Sequence, residues 1–165
     1  PRADGHARAR GLQNIREDKE RCEGAMNKLI DMLKRQEGKS RWAYEDHLGY
    51  VTVGVGRCLD PEKGLGLSDD EIDYLLRNDI TRCYQELDIF SWFHDLDEVR
   101  QHAIVSMLFQ LGLPKFLEFK KTLAFLAEGK YSQAANEMLD SKWARQTPNR
   151  AREISYMVKT GQYVH

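Results

Sequence analysis

The sequence predicts an α+β fold in which a small β-containing N-terminal lobe is joined by a long helix to a mainly helical C-terminal lobe. Three observations carry this expectation. Between Trp42 and Val55, apolar residues alternate with polar or small ones, the period of half-buried strands. From Ile72 onward, apolar residues recur at helical spacing, as on helices that bury one face. Pro61, Gly64 and Gly66 mark a loop between the two patterns.

Length and composition fit one domain of two lobes. With 165 residues, 41% hydrophobic and 31% charged, the chain is large enough to bury an apolar interior without staples. A net charge of -1 supplies no positive field that would select nucleic acid or an anionic membrane. Cys22, Cys58 and Cys83 are odd in number and form no C-x-x-C, so they read as free thiols of a chain made in a reducing compartment. No apolar run reaches the roughly 18 residues of a membrane span, and no apolar signal core is visible near Pro1. Stable membrane insertion is not expected.

Residues 1–25, rich in Arg, Gly and Glu, are expected to form a solvated N-terminal extension or linker, with a weak helical stripe at Leu12, Ile15 and Cys22. The spacing of Leu29, Ile30 and Leu33 predicts a helix with Asn27 as N-cap and Gly38 as its stop, which places Glu37 in the last turn. Trp42 and Tyr44, then Val51, Val53 and Val55, predict two strands around a turn at His47 to Gly49. With the valines toward a core, Thr52, Gly54 and Gly56 line the other face, where a hydroxyl and two glycines leave room for a ligand. These strands belong to a small lobe of about residues 38–67.

Ser68 and Glu71 form a capping-box pattern ahead of a helix carrying Ile72, Leu75, Leu76, Ile80, Cys83 and Leu87, which reaches about Asp88 and is long enough to join two lobes. The helical lobe, residues 89–165, follows. Val99, Ala103, Ile104, Met107, Leu108 and Leu111 share one face, stopped by Gly112; Leu123, Phe125 and Leu126 share another, stopped by Gly129. Ser132 is expected to cap a helix bearing Ala135, Met138 and Leu139. Thr147 and Pro148 read as N-cap and N1 of a last helix ending at Gly161.

The chemistry concentrates at Glu37, Asp46 and Thr52, two carboxylates and a hydroxyl set where a helix gives way to a hairpin. Glycoside hydrolysis needs one carboxyl group that holds its proton and one that stays ionised. The negative end of a helix dipole disfavours the Glu37 anion, whereas Asp46 sits by a polar turn that suits a charge. Each residue alone is ordinary, because glutamates in last helical turns are mostly solvated and aspartates before turns mostly make turn bonds. No H-E-x-x-H, dinucleotide fingerprint or nucleophile elbow is present, so neither metal nor cofactor is expected.

Glu37-Gly38, Tyr44-x-Asp46 and Gly49-Tyr50-x-Thr52-x-Gly54-x-Gly56 closely resemble the phage-type lysozymes, the endolysins of glycoside hydrolase family 24 that include the T-even type. In that family the catalytic Glu, Asp and Thr stand at the same intervals. Residues 95–112 and 141–154 resemble its helical lobe, and the likeness runs from Met26 to the C-terminus. The resemblance implies a lysozyme-like fold and a muramidase that cleaves the β-1,4 bond between N-acetylmuramic acid and N-acetylglucosamine with inversion, leading to bacterial lysis.

The resemblance also assigns roles. Glu37 matches the general acid, Asp46 the carboxylate that positions water, and Thr52 its hydroxyl partner. Arg150 matches a residue that pairs with the acid and so opposes the helix-end effect on it. Phe109 and Gln110 match cleft-lining positions, alongside Gly54 and Gly56, although a Phe at helical spacing is by default core. The implied partner is bacterial peptidoglycan, met as a monomer, with residence in the host cytoplasm before release to the cell wall through a holin-type pore.

Four departures from the family pattern stand out, one being a near-neutral charge where many such lysozymes are basic, which implies weaker and less salt-dependent binding to an anionic wall. Arg57 replaces a frequent His and reads as structural support; the 15 residues between Thr52 and Ser68 imply a trimmed small lobe; and Ser106 stands where a relative has an amide near the acid. Two other functions compete. A non-catalytic peptidoglycan-binding domain has no need of Glu37, Asp46 and Thr52 together, and a lytic transglycosylase has no need of the Asp and Thr that hold water.

Overall fold

A computed structural model describes residues 19, 23–24 and 26–164. The chain divides into two compact units, Pro1–Asp69 and Asp70–His165. The expected stripe at Leu12, Ile15 and Cys22 lies outside the described residues.

In the first unit, residues 26–37 form helix α1. Residues 23 and 24 are helical too, so Asn27 lies inside the helix and is not its N-cap. An N-cap needs non-helical backbone, and both Asn27 and Met26 before it are helical. Gly38, at φ 78°, ends it directly after Glu37. Strands β1 (Ser40–Glu45), β2 (Val51–Gly54) and β3 (Arg57–Cys58) follow as an antiparallel sheet in the order β1-β2-β3. The two-strand expectation omitted β3, because two residues carry no alternation to read.

The face of β2 is the reverse of the one expected. Thr52 is buried at 3% exposure, while Val51 is 46% exposed. As the central strand, β2 pairs Thr52 with Tyr44 on one side and Cys58 on the other, and cross-strand partners flank its side chain on one face. A four-residue strand offers too few repeats for hydrophobicity to fix its face. Among the described residues of this unit, Thr52 is the one buried residue; Leu29, Ile30 and Leu33 of α1 are exposed.

The second unit is helical. Helix α2 (Asp69–Leu87) begins where the capping-box pattern predicts and buries Cys83 and Leu87 near its end, whereas Ile72, Leu75 and Leu76 are exposed. Then come α3 (Ser91–His94), α4 (Glu98–Leu111), α5 (Leu113–Phe116), α6 (Lys120–Ala127), α7 (Tyr131–Leu139), α8 (Lys142–Gln146) and α9 (Pro148–Thr160). Helix α9 packs against α4, α7 and α8. Phe93, Ile104, Met107, Leu108, Phe116, Leu126, Met138, Ile154 and Val158 are fully buried between these helices. Removing side chains of this size from water stabilises by about 1.5–3 kcal/mol each.

Helix ends follow local chemistry. The Asp97 side chain accepts the Arg100 N–H at 3.0 Å and caps α4, and Gly112 ends that helix at φ 72°. Helix α7 corrects an expectation: it starts at Tyr131 with Lys130 at the N-cap, and Ser132 sits inside the first turn. The Ala134 N–H already reaches the Lys130 carbonyl at 3.0 Å, which fixes the start two residues earlier than a Ser132 cap allows. Pro148 occupies the first turn of α9 behind Thr147, as its sequence predicts, and Gly161 ends the helix in the left-handed conformation.

Arg100 ties the end of α9 to α4. Its Nε donates to the Val158 carbonyl at 2.8 Å and Nη2 to the Lys159 carbonyl at 3.3 Å, while Nη1 pairs with Asp97. The guanidinium lies 4.1 Å from the centre of the Tyr131 ring on α7. A Cβ at position 161 would come within 2.5 Å of Arg100 Nη1, so glycine is required there for space as well as for φ.

Candidate active site

The proposed acid, Glu37, is the last helical residue of α1, exposed beside Gly38. Nine residues later the chain makes an Asx turn. Asp46 Oδ1 accepts the N–H of Leu48 at 2.8 Å and the N–H of Tyr50 at 2.9 Å. The backbone closes the same loop, with Asp46 N–H donating to the Tyr50 carbonyl at 3.0 Å and Gly49 N–H to the Asp46 carbonyl at 2.9 Å. An aspartate with a glycine three residues on suits this turn because its short side chain reaches back to the following peptides.

Those donors act on charge. The Tyr50 N–H has the largest influence; helped by the Leu48 N–H and the nearby His47, it holds the Asp46 carboxyl below the ordinary aspartate value of 3.8, against partial desolvation, which raises it. Both backbone bonds fall on Oδ1, which leaves Oδ2 free of them.

Thr52 lies on β2, two residues past Tyr50, and its Oγ1 donates to the Tyr50 carbonyl at 3.1 Å. One residue, Tyr50, thus touches both members of the pair: its N–H binds the carboxylate and its C=O takes the hydroxyl proton. With that proton committed, Thr52 presents lone pairs. The sequence singled out Asp46 and Thr52 but not the Tyr50 backbone between them, for which the D-x-x-G spacing of Asp46 and Gly49 was the available signal.

Gly54 and Gly56 adopt φ 68° and 78° in the hairpin between β2 and β3, and a Cβ at either would meet no atom within 4 Å. The hairpin backbone requires glycine there, and the space above each is open. Arg57 donates from Nη1 to the Gly66 carbonyl at 3.0 Å and so ties β3 to the following loop.

In the second unit, one face of α4 carries two hydrogen-bonded pairs a turn apart. Arg150, in the first turn of α9, donates from Nη2 to Ser106 Oγ at 3.0 Å and to the Ser106 carbonyl at 3.3 Å. Trp143, on α8, donates its indole N–H to Gln110 Oε1 at 2.9 Å. An indole N–H only donates, so the Gln110 amide must offer its oxygen there and turn its NH2 group elsewhere. Trp143 is 5% exposed and packs edge-on against Phe119, which fixes this orientation. The family resemblance implied Gln110 as a lining residue but not Trp143 as its support; a tryptophan beside the Gln-Thr-Pro-Asn-Arg run was the signal.

Phe109 is 42% exposed and so does not belong to the core of this unit. A pocket of about 640 Å³ opens beside Trp143 and Phe119, with Lys115, Lys120, Lys121 and Lys142 around it. Cys58 and Cys83 are free thiols. No helix among the described residues is long and apolar enough to cross a membrane.

Comparison with known proteins draws these features together. Residues 34–156 match the phage lysozyme family. The chain is 29% identical to probable T4-type lysozyme 1 of Dictyostelium discoideum over 163 residues, covering 82% of this chain and 96% of that protein. Probable T4-type lysozyme 2 of the same organism is 27% identical over the same shares of the two chains. The pre-baseplate central spike protein Gp5 of Enterobacteria phage T4 is 24% identical across 81% of this chain and 28% of its own length.

Proposed function

Because this chain belongs to the phage lysozyme family and is a glycoside hydrolase of the lysozyme type, we propose that it lyses bacteria by cutting the β-1,4 bond between N-acetylmuramic acid and N-acetylglucosamine in peptidoglycan, with inversion. In this reading Glu37 gives its proton to the leaving oxygen as the C1–O bond breaks. Water attacks C1 from the opposite face and passes its own proton to Asp46. Gly54 and Gly56 in the first unit and Phe109 and Gln110 in the second are read as sugar-binding residues.

The observation that carries the reading is the sharing of Tyr50 between Asp46 and Thr52. A water that gives one hydrogen to Asp46 Oδ2 and the other to Thr52 Oγ1 is left with a lone pair to attack. Neither a binding domain nor an enzyme that cleaves without water has use for that arrangement.

The test is clearing of purified peptidoglycan by the parent and by Glu37→Gln. Loss of a general acid lowers the rate about 10²- to 10⁴-fold; equal clearing would remove Glu37 from the role. First-turnover product anomers read by NMR are expected to be inverted, whereas retention would recast Asp46 as a nucleophile. Products lighter by one water would point to transglycosylation.

A further inference from the structure

A phenol has one proton to give, so when two side chains flank its oxygen, the side that takes the proton fixes the direction of both bonds. Beyond α9, Gly161 turns the chain in the left-handed conformation, and Tyr163 comes back to α4. Its oxygen lies 2.6 Å from His102 Nδ1, with the two ring centres 6.1 Å apart. The Gln162 N–H stays local, on Thr160 Oγ1 at 3.2 Å, so it is the Tyr163 side chain that ties this segment to α4. Glu98 stands one turn before His102 on the same helix. Partial desolvation, then the charge and side-chain bond of Glu98, and last Tyr84 of α2, raise the phenol above its ordinary value of 10.0, so it keeps its proton at neutral pH. The other charged groups here are Asp97 and Arg100 of α4, paired with each other, and Lys159 in the last turn of α9, whose carbonyl accepts from Arg100.

A carboxylate only accepts, so the phenol proton goes to Glu98 and the phenol oxygen receives a hydrogen from His102. Nδ1 is then the protonated nitrogen, the reverse of the tautomer that a free neutral ring prefers. We infer that residues 162–164 form a strap closed on α4 by a directed relay, in which His102 Nδ1–H donates to the Tyr163 oxygen and Tyr163 O–H donates to the Glu98 carboxylate. Direction decides how the strap answers protonation. A ring that accepted at Nδ1 would lose its bond on gaining a second proton, whereas a ring that donates there keeps it, neutral or charged. The strap therefore stays closed as pH crosses the histidine range, and Glu98, acting through the phenol, selects the tautomer of His102.

Nitrogen NMR of the imidazole in the whole chain tests the direction. At about pH 8.5, above the ordinary histidine range, the parent is expected to show His102 protonated at Nδ1 and bare at Nε2. Glu98→Ala frees the phenol proton and is expected to move the ring proton to Nε2. Tyr163→Phe, which keeps the ring contact and removes the oxygen, is expected to do the same. Nuclear Overhauser contacts between the Tyr163 ring and α4 are expected to persist in the parent from about pH 8.5 to about pH 5.5, a span that crosses the histidine range. Order parameters of the Gln162 to Val164 amides are expected to fall below about 0.6, the flexible range, in Tyr163→Phe. A parent ring with its proton on Nε2 would reverse the relay, and a tautomer unmoved by Glu98→Ala or by Tyr163→Phe would break it. Loss of the Tyr163 contacts as the ring charges, or unchanged order parameters in Tyr163→Phe, would remove the strap. Any one of these results overturns the proposal.

Discussion

Two backbone donors on one carboxylate oxygen make Asp46 a stronger acid than an ordinary aspartate, and the sign of the consequence is fixed by that direction. A depressed folded-state value means the charged form is favoured in the folded chain. Its contribution to stability is present above the unfolded value and is lost as pH falls through the folded one. The acid limb of kcat/KM is therefore expected below pH 3.8, the ordinary value. A pH–rate profile measured with Asp46 as the ionising base tests it, and a limb at or above that value would contradict the Asx-turn origin of the shift. At this scale the sequence exposed residue types better than their bonds. Glu37, Asp46 and Thr52 became candidates through type and spacing, and Arg150 through the family resemblance. The sharing of the Tyr50 peptide and the support of Gln110 by Trp143 were not legible, because backbone donors and tertiary partners leave no mark on a one-dimensional pattern. The face of β2 was misread for a related reason: with four residues, alternation is as compatible with Thr52 inward as with Val51 inward.

Helices announce themselves through their ends and their length. Helix α4 was legible from its apolar face and closing Gly112, and α9 from its Thr147-Pro148 start and closing Gly161. The short helices α3, α5 and α8, of four or five residues, were not, since one turn carries no period. Nor does an apolar stripe guarantee burial, as exposed Ile72, Leu75 and Leu76 on α2 demonstrate. The bond between α4 and the end of α9 is the element-level feature most open to test. Arg100 satisfies two terminal carbonyls of α9, pairs with Asp97 and lies over Tyr131, uses that need a planar fork. Arg100→Lys keeps the charge and loses the fork. Chemical denaturation is expected to show a loss of about 1.5–3 kcal/mol, the scale of charged hydrogen bonds; a change within experimental scatter would mean that α9 is held by its buried face alone.

Across the molecule, burial is unevenly shared. The large buried side chains all lie beyond Asp69, and among the described residues before it Thr52 is the one buried. Opening free energies track buried apolar contacts and protected backbone bonds. Amides of α4, α7 and α9 are therefore expected to exchange slowest with solvent, and those of residues 26–68 markedly sooner. Equal protection in the two units, measured by hydrogen exchange, would refute this ranking. The proposed acid, water-holding aspartate and threonine all stand in the less protected unit. On warming, catalysis should therefore fail at a lower temperature than the bulk melt and return on cooling, so that the enzyme's working range is set by a loosely packed hairpin and not by its core.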